Sequence, residues 1–165
     1  MLFRLLIISF SLLSCSNFKD NTNDSHLEKL GLIEIESNET YISKLIESNI
    51  KNAFDIYKTK NSHEKKYTMI IDVNDSIESS LFANSIRKIE MSINYKIIEK
   101  NSNIVLLSDA FSRNSLVGPI DSLFSRDQSE LNARKRLGIS ISNDLIIRLI
   151  EWASFDLVTW KSKKV

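Results

Sequence analysis

The chain has 165 residues, with 22 Lys and Arg against 21 Asp and Glu, a single Cys, three Gly and one Pro. A balance this close to neutral leaves no electrostatic footprint for bulk nucleic-acid binding, and so little Gly and Pro excludes long Gly- or Pro-rich linkers. One Cys excludes an intramolecular disulfide, and the length suits one ordinary domain.

In chain order, residues 1–14 come first. Arg4 supplies a cation, Leu5 to Leu13 form an apolar core broken only by Ser9 and Ser11, and small Ser14 precedes Cys15. These are the parts of a secretory signal. The core is too short to span a bilayer, which takes about 20 apolar residues. Leu12-Leu13-Ser14-Cys15 resembles the bacterial lipobox, in which the cysteine is diacylated and becomes the mature N-terminus. A buried lone thiol or an uncleaved signal anchor is the alternative reading. Residues 15–29 are polar and read as a lipidated Cys and a flexible tether.

Residues 30–155 then read as one domain. Ile33 and Ile35 alternate with Glu34 and Glu36, as in a half-buried strand. Ser37 or Asn38 is placed to cap a helix over about Glu39 to Lys58, whose stripe runs Ile42, Leu45, Ile46, Ile50, Ala53, Phe54 and Tyr57. Tyr67, Met69, Ile71 and Val73 predict a second strand, followed by a loop over Asp75 to Ala83. Ile89, Met91, Ile93, Tyr95 and Ile97 give the clearest strand, because five apolar residues at period two do not fit a helix. A short turn, Glu99 to Asn103, leads into a fourth strand over Ile104 to Phe111, antiparallel to the third. Ser112 to Asp121 reads as loop. A last helix from about Arg126 to Phe155 has the stripe Leu131, Leu137, Ile141, Leu145, Leu149 and Trp152, with Ala133 at a point of close approach. Residues 156–165 form a basic tail.

The element order β-α-β-β-β-α predicts an α+β fold. It is a two-layer sandwich of one four-stranded mixed or antiparallel sheet with two helices on one face. The other face is left for solvent or a partner.

Signals for chemistry are sparse. His26 lies in the tether and His63 in a polar turn, without a nucleophile or ligand cluster beside either. The spacing predicts no metal site, phosphate loop, dinucleotide fingerprint or nucleophile elbow, so neither a metal nor a cofactor is expected. Asp72 and Asp75 stand where a catalytic pair could sit, although a charged strand end explains them better. Basic residues are more suggestive. Arg87 and Lys88 open the third strand, Lys96 lies along it, Lys100 is in its turn, and Arg113 follows the fourth. Lys and Arg in such places suit phosphates and carboxylates, and Lys on strands also discourages edge aggregation. Arg126, Arg134, Lys135, Arg136 and Arg148 read mostly as the solvated face of the last helix.

With the lipobox, tether and element order together, the chain resembles the lipopolysaccharide-assembly outer-membrane lipoproteins, the LptE/RlpB family, in its alphaproteobacterial form. The likeness runs from about Leu30 to Trp152. It rests on a long strand from Ser85 to Ile98 containing Arg87, Ile93 and Tyr95, and on a C-terminal helix from Ser129-Glu130 through Ile147-Arg148-Leu149. The segment after Cys15, Ser16-Asn17-Phe18-Lys19, departs from the Gly-Phe-x-Pro-Leu-Tyr type common in members. The resemblance implies a non-enzymatic lipoprotein anchored through Cys15 to the outer membrane and facing the periplasm. It implies a large β-barrel partner, LptD, within which the chain acts as plug and chaperone for lipopolysaccharide. Arg87, Lys88, Lys96 and Arg113 would then meet lipopolysaccharide phosphates.

Overall fold

The computed structural model describes residues 24–58, 64–79, 86–118 and 122–154. The signal over 1–14, Cys15 and the basic tail over 156–165 lie outside the described residues, as do His63 and Pro119.

The described elements are helix α1 (Asp24–Gly31), strand β1 (Ile33–Ser37), helix α2 (Tyr41–Asp55), strands β2 (Tyr67–Ser79), β3 (Arg87–Glu99) and β4 (Val105–Val117), and helix α3 (Leu123–Ser154). The four strands form one sheet in the order β1-β2-β3-β4. β1 runs parallel to β2, with α2 as the crossover, and the remaining pairs are antiparallel. This is the expected two-layer α+β fold with a mixed sheet. Each long strand has 13 residues, so the sheet extends about 43 Å along β3.

Period two divides the sheet into two unlike faces. Ile35, Met69, Ile97 and Leu107 line up across all four strands, and Ile71 with Tyr95 and Val73 with Ile93 continue the apolar face. All are buried against the helices. Burying one such side chain stabilises by about 1.5–3 kcal/mol.

α2 contributes Ile42, Ile46, Ile50 and Phe54 to this layer. α3 contributes Ala133, Leu137, Ile141, Leu145, Leu149 and Trp152. Leu131, expected in that stripe, is only half-buried, and Glu130 takes the buried position beside it. The helices meet at Gly138, where an added Cβ would lie 3.2 Å from Ile42 Cγ2. Ser142 stays buried by donating to the Gly138 carbonyl at 2.7 Å. Asn49 Nδ2 reaches the same hydroxyl from α2 at 3.4 Å.

The structure redraws several boundaries. The expected tether gives way at Asp24 to α1, whose Leu27 and Leu30 pack on the core; a single helical turn's apolar pair is hard to see in a polar stretch. Thr40 caps α2, accepting from the Ser43 amide at 3.2 Å. Neither expected cap serves, because Ser37 ends β1 and Asn38 donates to the Val73 carbonyl at 3.0 Å. Asp75 to Ser79, expected as loop, continues β2, and Ser112 to Val117 continues β4. Both polar stretches stay extended because β3 lies between them and pairs with each along its length. The β3–β4 turn closes with Asn103 at φ 54°, a left-handed conformation that Asn tolerates better than most residues.

Candidate interaction surface

Among the described residues the helices cover one face of the sheet and leave the other open. Across the open face run the rows Asp72–Asn94–Ala110, Asn74–Ser92–Ser112 and Ser76–Glu90–Asn114. Ile70, Ile98 and Val105 make a small apolar area near one end. A sheet about 43 Å long with a largely polar, small-residue face can lie against another polar surface, provided that surface offers an acceptor to Lys96.

The four basic residues expected to act together do not share a face. Lys88 and Lys96 project from the open face, whereas Arg87 and Arg113 project toward the helices. Arg87 Nη1 pairs with Glu130 Oε1 at 2.7 Å, and the Glu130 carboxylate is buried. Arg113 Nε pairs with Asp144 Oδ2 at 2.8 Å, a hydrogen bond that raises its pKa. Lys88 Nζ lies 2.9 Å from Glu90 and 3.6 Å from Glu78, and the Glu90 hydrogen bond is the main reason its pKa is raised. Lys96 is exposed between Ile70 and Ser108 and makes no ion pair among the described residues. Lys100 Nζ hydrogen-bonds Glu34 Oε2.

Asp72 and Asp75 also part company. Three residues apart on one strand, they face opposite sides of the sheet. Asp72 accepts from Asn74 Nδ2 at 3.0 Å on the open side, and Asp75 pairs with Arg134 at 2.7 Å on the helix side. Among the described residues no group of three or more His, Cys, Asp or Glu could hold a metal, and no helix is long and apolar enough to cross a membrane.

Sequence reasoning missed the role of the α3 cations. Arg134 and Arg148, expected on a solvated face, reach the sheet at Asp75 and Asp109, at 2.7 and 2.8 Å. With Arg87–Glu130 and Arg113–Asp144 they give four ion pairs between layers. α3 presents its charges as Glu130/Arg134 and Asp144/Arg148, two acid-then-base pairs at i, i+4, which was the available signal. Arg148 also lies over the Phe111 ring, 4.5 Å from its centroid. Tyr95, beneath the last of these pairs, has its pKa pushed up to about 12 by burial and then by Asp109, with Arg148 opposing.

A second surface went unnoticed because it depends on strand order. β1 is an edge strand, and a groove of about 600 Å³ runs between it and α2. Leu30, Ile33, Ile35 and Phe54 form its apolar part. Lys44, Glu47, Ser48, Lys51, Asn52 and Asp55 form one wall, at spacings that keep them on a single helix face. Burial pushes the Glu47 carboxyl up, but bonds from Lys51, Ser37 and Lys44 outweigh this and hold it at about 2. Lys65 closes one end, donating to the Gly31 carbonyl at 2.6 Å.

No protein-family model matches this sequence, and no curated protein matches it. The fold does have counterparts among solved structures. A predicted lipoprotein from Caulobacter crescentus superposes with a TM-score of 0.63 at 11% identity, over 78% of this chain and 94% of that one. A minor lipoprotein from Acinetobacter baumannii gives a TM-score of 0.58 at 6% identity, over 72% of this chain and 90% of that one. Rare lipoprotein B from Shewanella oneidensis gives 0.45 at 13% identity, over 72% and 92%, too loose a match to establish a common fold. The chain thus has the two-layer fold of small bacterial lipoprotein domains.

Proposed function

We infer that the chain is a lipid-anchored envelope protein whose domain is a non-enzymatic module for holding another protein. The observation that carries this is the open polar face of a four-stranded sheet covered by helices on one side only. The lipobox ending at Cys15 supports an anchor, and the fold shared with bacterial lipoproteins agrees with it.

The narrower reading is an LptE-type role at the outer membrane, with the β-barrel LptD as partner and lipopolysaccharide as cargo. Its support is the element order from Leu30 to Trp152 and the character of the open face. The lumen of a large barrel is polar, and rows of Ser, Asn and Asp are suited to lie against such a wall. Of the four basic residues first weighed for lipopolysaccharide phosphates, Lys88 and Lys96 are the two on this face. Arg87 and Arg113 are committed to α3.

Co-purification of the tagged chain from detergent-solubilised outer membrane tests both readings. Recovery of a large β-barrel supports the LptE-type role. Recovery of a different envelope protein supports the general module and removes the narrower one. Recovery of no partner removes both.

A further inference from the structure

We propose that the free edge of β1 takes up an extended polypeptide segment as an additional strand, with acidic side chains at the alternate positions facing α2. This names a second contact of the interaction module inferred above and rests on that reading.

The backbone supplies the first argument. The Tyr67 amide donates to the Leu32 carbonyl at 3.3 Å, and Ile33 lies opposite Tyr67. In a parallel ladder the groups bonded to the neighbour alternate along the strand. The Leu32 carbonyl and the Glu34 and Glu36 groups therefore serve β2, and those of Ile33, Ile35 and Ser37 point away from it. Among the described residues no strand pairs with that side. An edge with free donors and acceptors is a template for strand addition.

Dimensions supply the second. Five residues of β1 offer about 17 Å of edge. The α2 wall from Lys44 to Asp55 is also about 17 Å long at the helical rise. The groove can therefore cradle an added strand over its whole paired length.

Charge supplies the third. Four lysines line the groove (44, 51, 58 and 65) against Glu34, Glu47 and Asp55. Lys44 and Lys51 share Glu47, Glu39 also pairs with Lys44 from outside the groove at 3.3 Å, Lys58 takes Asp55, and Glu34 is engaged by Lys100 from outside, which leaves one lysine in excess. That lysine is Lys65, which among the described residues donates only to the Gly31 carbonyl. Carboxylates of an incoming strand would supply the missing counter-charge on the α2 side. The other parity of that strand would lie beside Glu34 and Glu36 on the open face, so acids belong on one parity only. Alternation of acidic and neutral residues is the pattern that fits.

The test uses the full chain purified in detergent and an eight-residue peptide alternating valine and glutamate. Peptide binding is read by fluorescence anisotropy and its place by hydrogen-exchange mass spectrometry. The expected result is slowed exchange over residues 32–38 and none over the other edge, 105–117. The same peptide N-methylated at alternate residues should not bind, and a valine–glutamine version should bind about tenfold more weakly. Lys65→Glu should weaken binding about tenfold. Because Lys65 also holds a backbone carbonyl, Lys58→Glu is a second variant, expected to weaken binding without altering the circular dichroism spectrum. Protection at β4, equal affinity for the N-methylated peptide, or no protection at about 1 mM peptide overturns the proposal. If the edge fails while Asn94 on the open face still cross-links to a partner, the edge proposal falls and the module reading stands.

Discussion

Glu130→Leu should destabilise the domain more than any other single charge removal on α3. Glu130 is 6% exposed and its partner Arg87 retains 30% of its side-chain surface. Deleting the carboxylate leaves a guanidinium held largely out of water with no counter-charge. Breaking a fully buried pair costs about 3–5 kcal/mol, and the partial exposure of Arg87 lowers this to roughly 2–3 kcal/mol. For a domain of this size each kcal/mol moves Tm by about 3–4 °C, so the shift is about 6–12 °C. Urea and thermal melts followed by circular dichroism at pH 7 measure it. The double variant Arg87→Met/Glu130→Leu removes both charges and should be more stable than Glu130→Leu alone. Asp144→Asn is the internal comparison. Its partner Arg113 is 55% exposed, so that loss should be clearly smaller than the loss in Glu130→Leu. A cost under about 0.5 kcal/mol for Glu130→Leu, or a double variant no more stable than Glu130→Leu, would show that the Arg87 charge does not depend on Glu130.

Three further outcomes follow from the packing and the shifted groups. Gly138→Ala should change stability by less than about 1 kcal/mol, because helix propensity gained offsets the 3.2 Å contact with Ile42; Gly138→Leu should cost about 1–3 kcal/mol or more by overpacking the α2–α3 contact, as urea midpoints would show. Glu47 titrates near 2 when folded, below its unfolded value, so its contribution is present above about pH 4.5 and lost as pH falls toward 2; the gap in urea midpoint between the parent and Glu47→Gln should close over that window. Tyr95 titrates near 12 when folded, above its unfolded value near 10, so its contribution is full below about pH 10 and lost as pH rises toward 12. Absorbance at the tyrosinate band should show a step near pH 12, and Tyr95→Phe should remove it; burial also raises the pKa of Tyr67, whose later ionisation should persist in that variant.

Much of the fold was legible because both sheet and helices bury one face. The alternation from Ile89 to Ile97 and the stripe from Leu137 to Trp152 each point to one kind of element, and the structure forms both. What stayed hidden depends on neighbours. Asp75 to Ser79 and Ser112 to Val117 have little strand character of their own and are extended because β3 pairs with them. Thr40 rather than Ser37 caps α2 because β1 claims Ser37 first. For the candidate surfaces, strand parity already separated Lys88 and Lys96 from Arg87. It could not show that Arg134 and Arg148 reach the sheet, nor that β1 forms an edge, since both follow from tertiary arrangement.

The proposed role requires that the open sheet face be the surface that holds the partner. A photo-cross-linking residue at Asn94, exposed at the middle of that face, tests it in the intact envelope against one at Ser140 on the outer side of α3. Mass spectrometry identifies what is attached. One dominant envelope protein should be captured from Asn94 and not from Ser140, and under the LptE-type role it should be a large outer-membrane β-barrel. Capture from Ser140 alone, or from neither position, would contradict the proposed role.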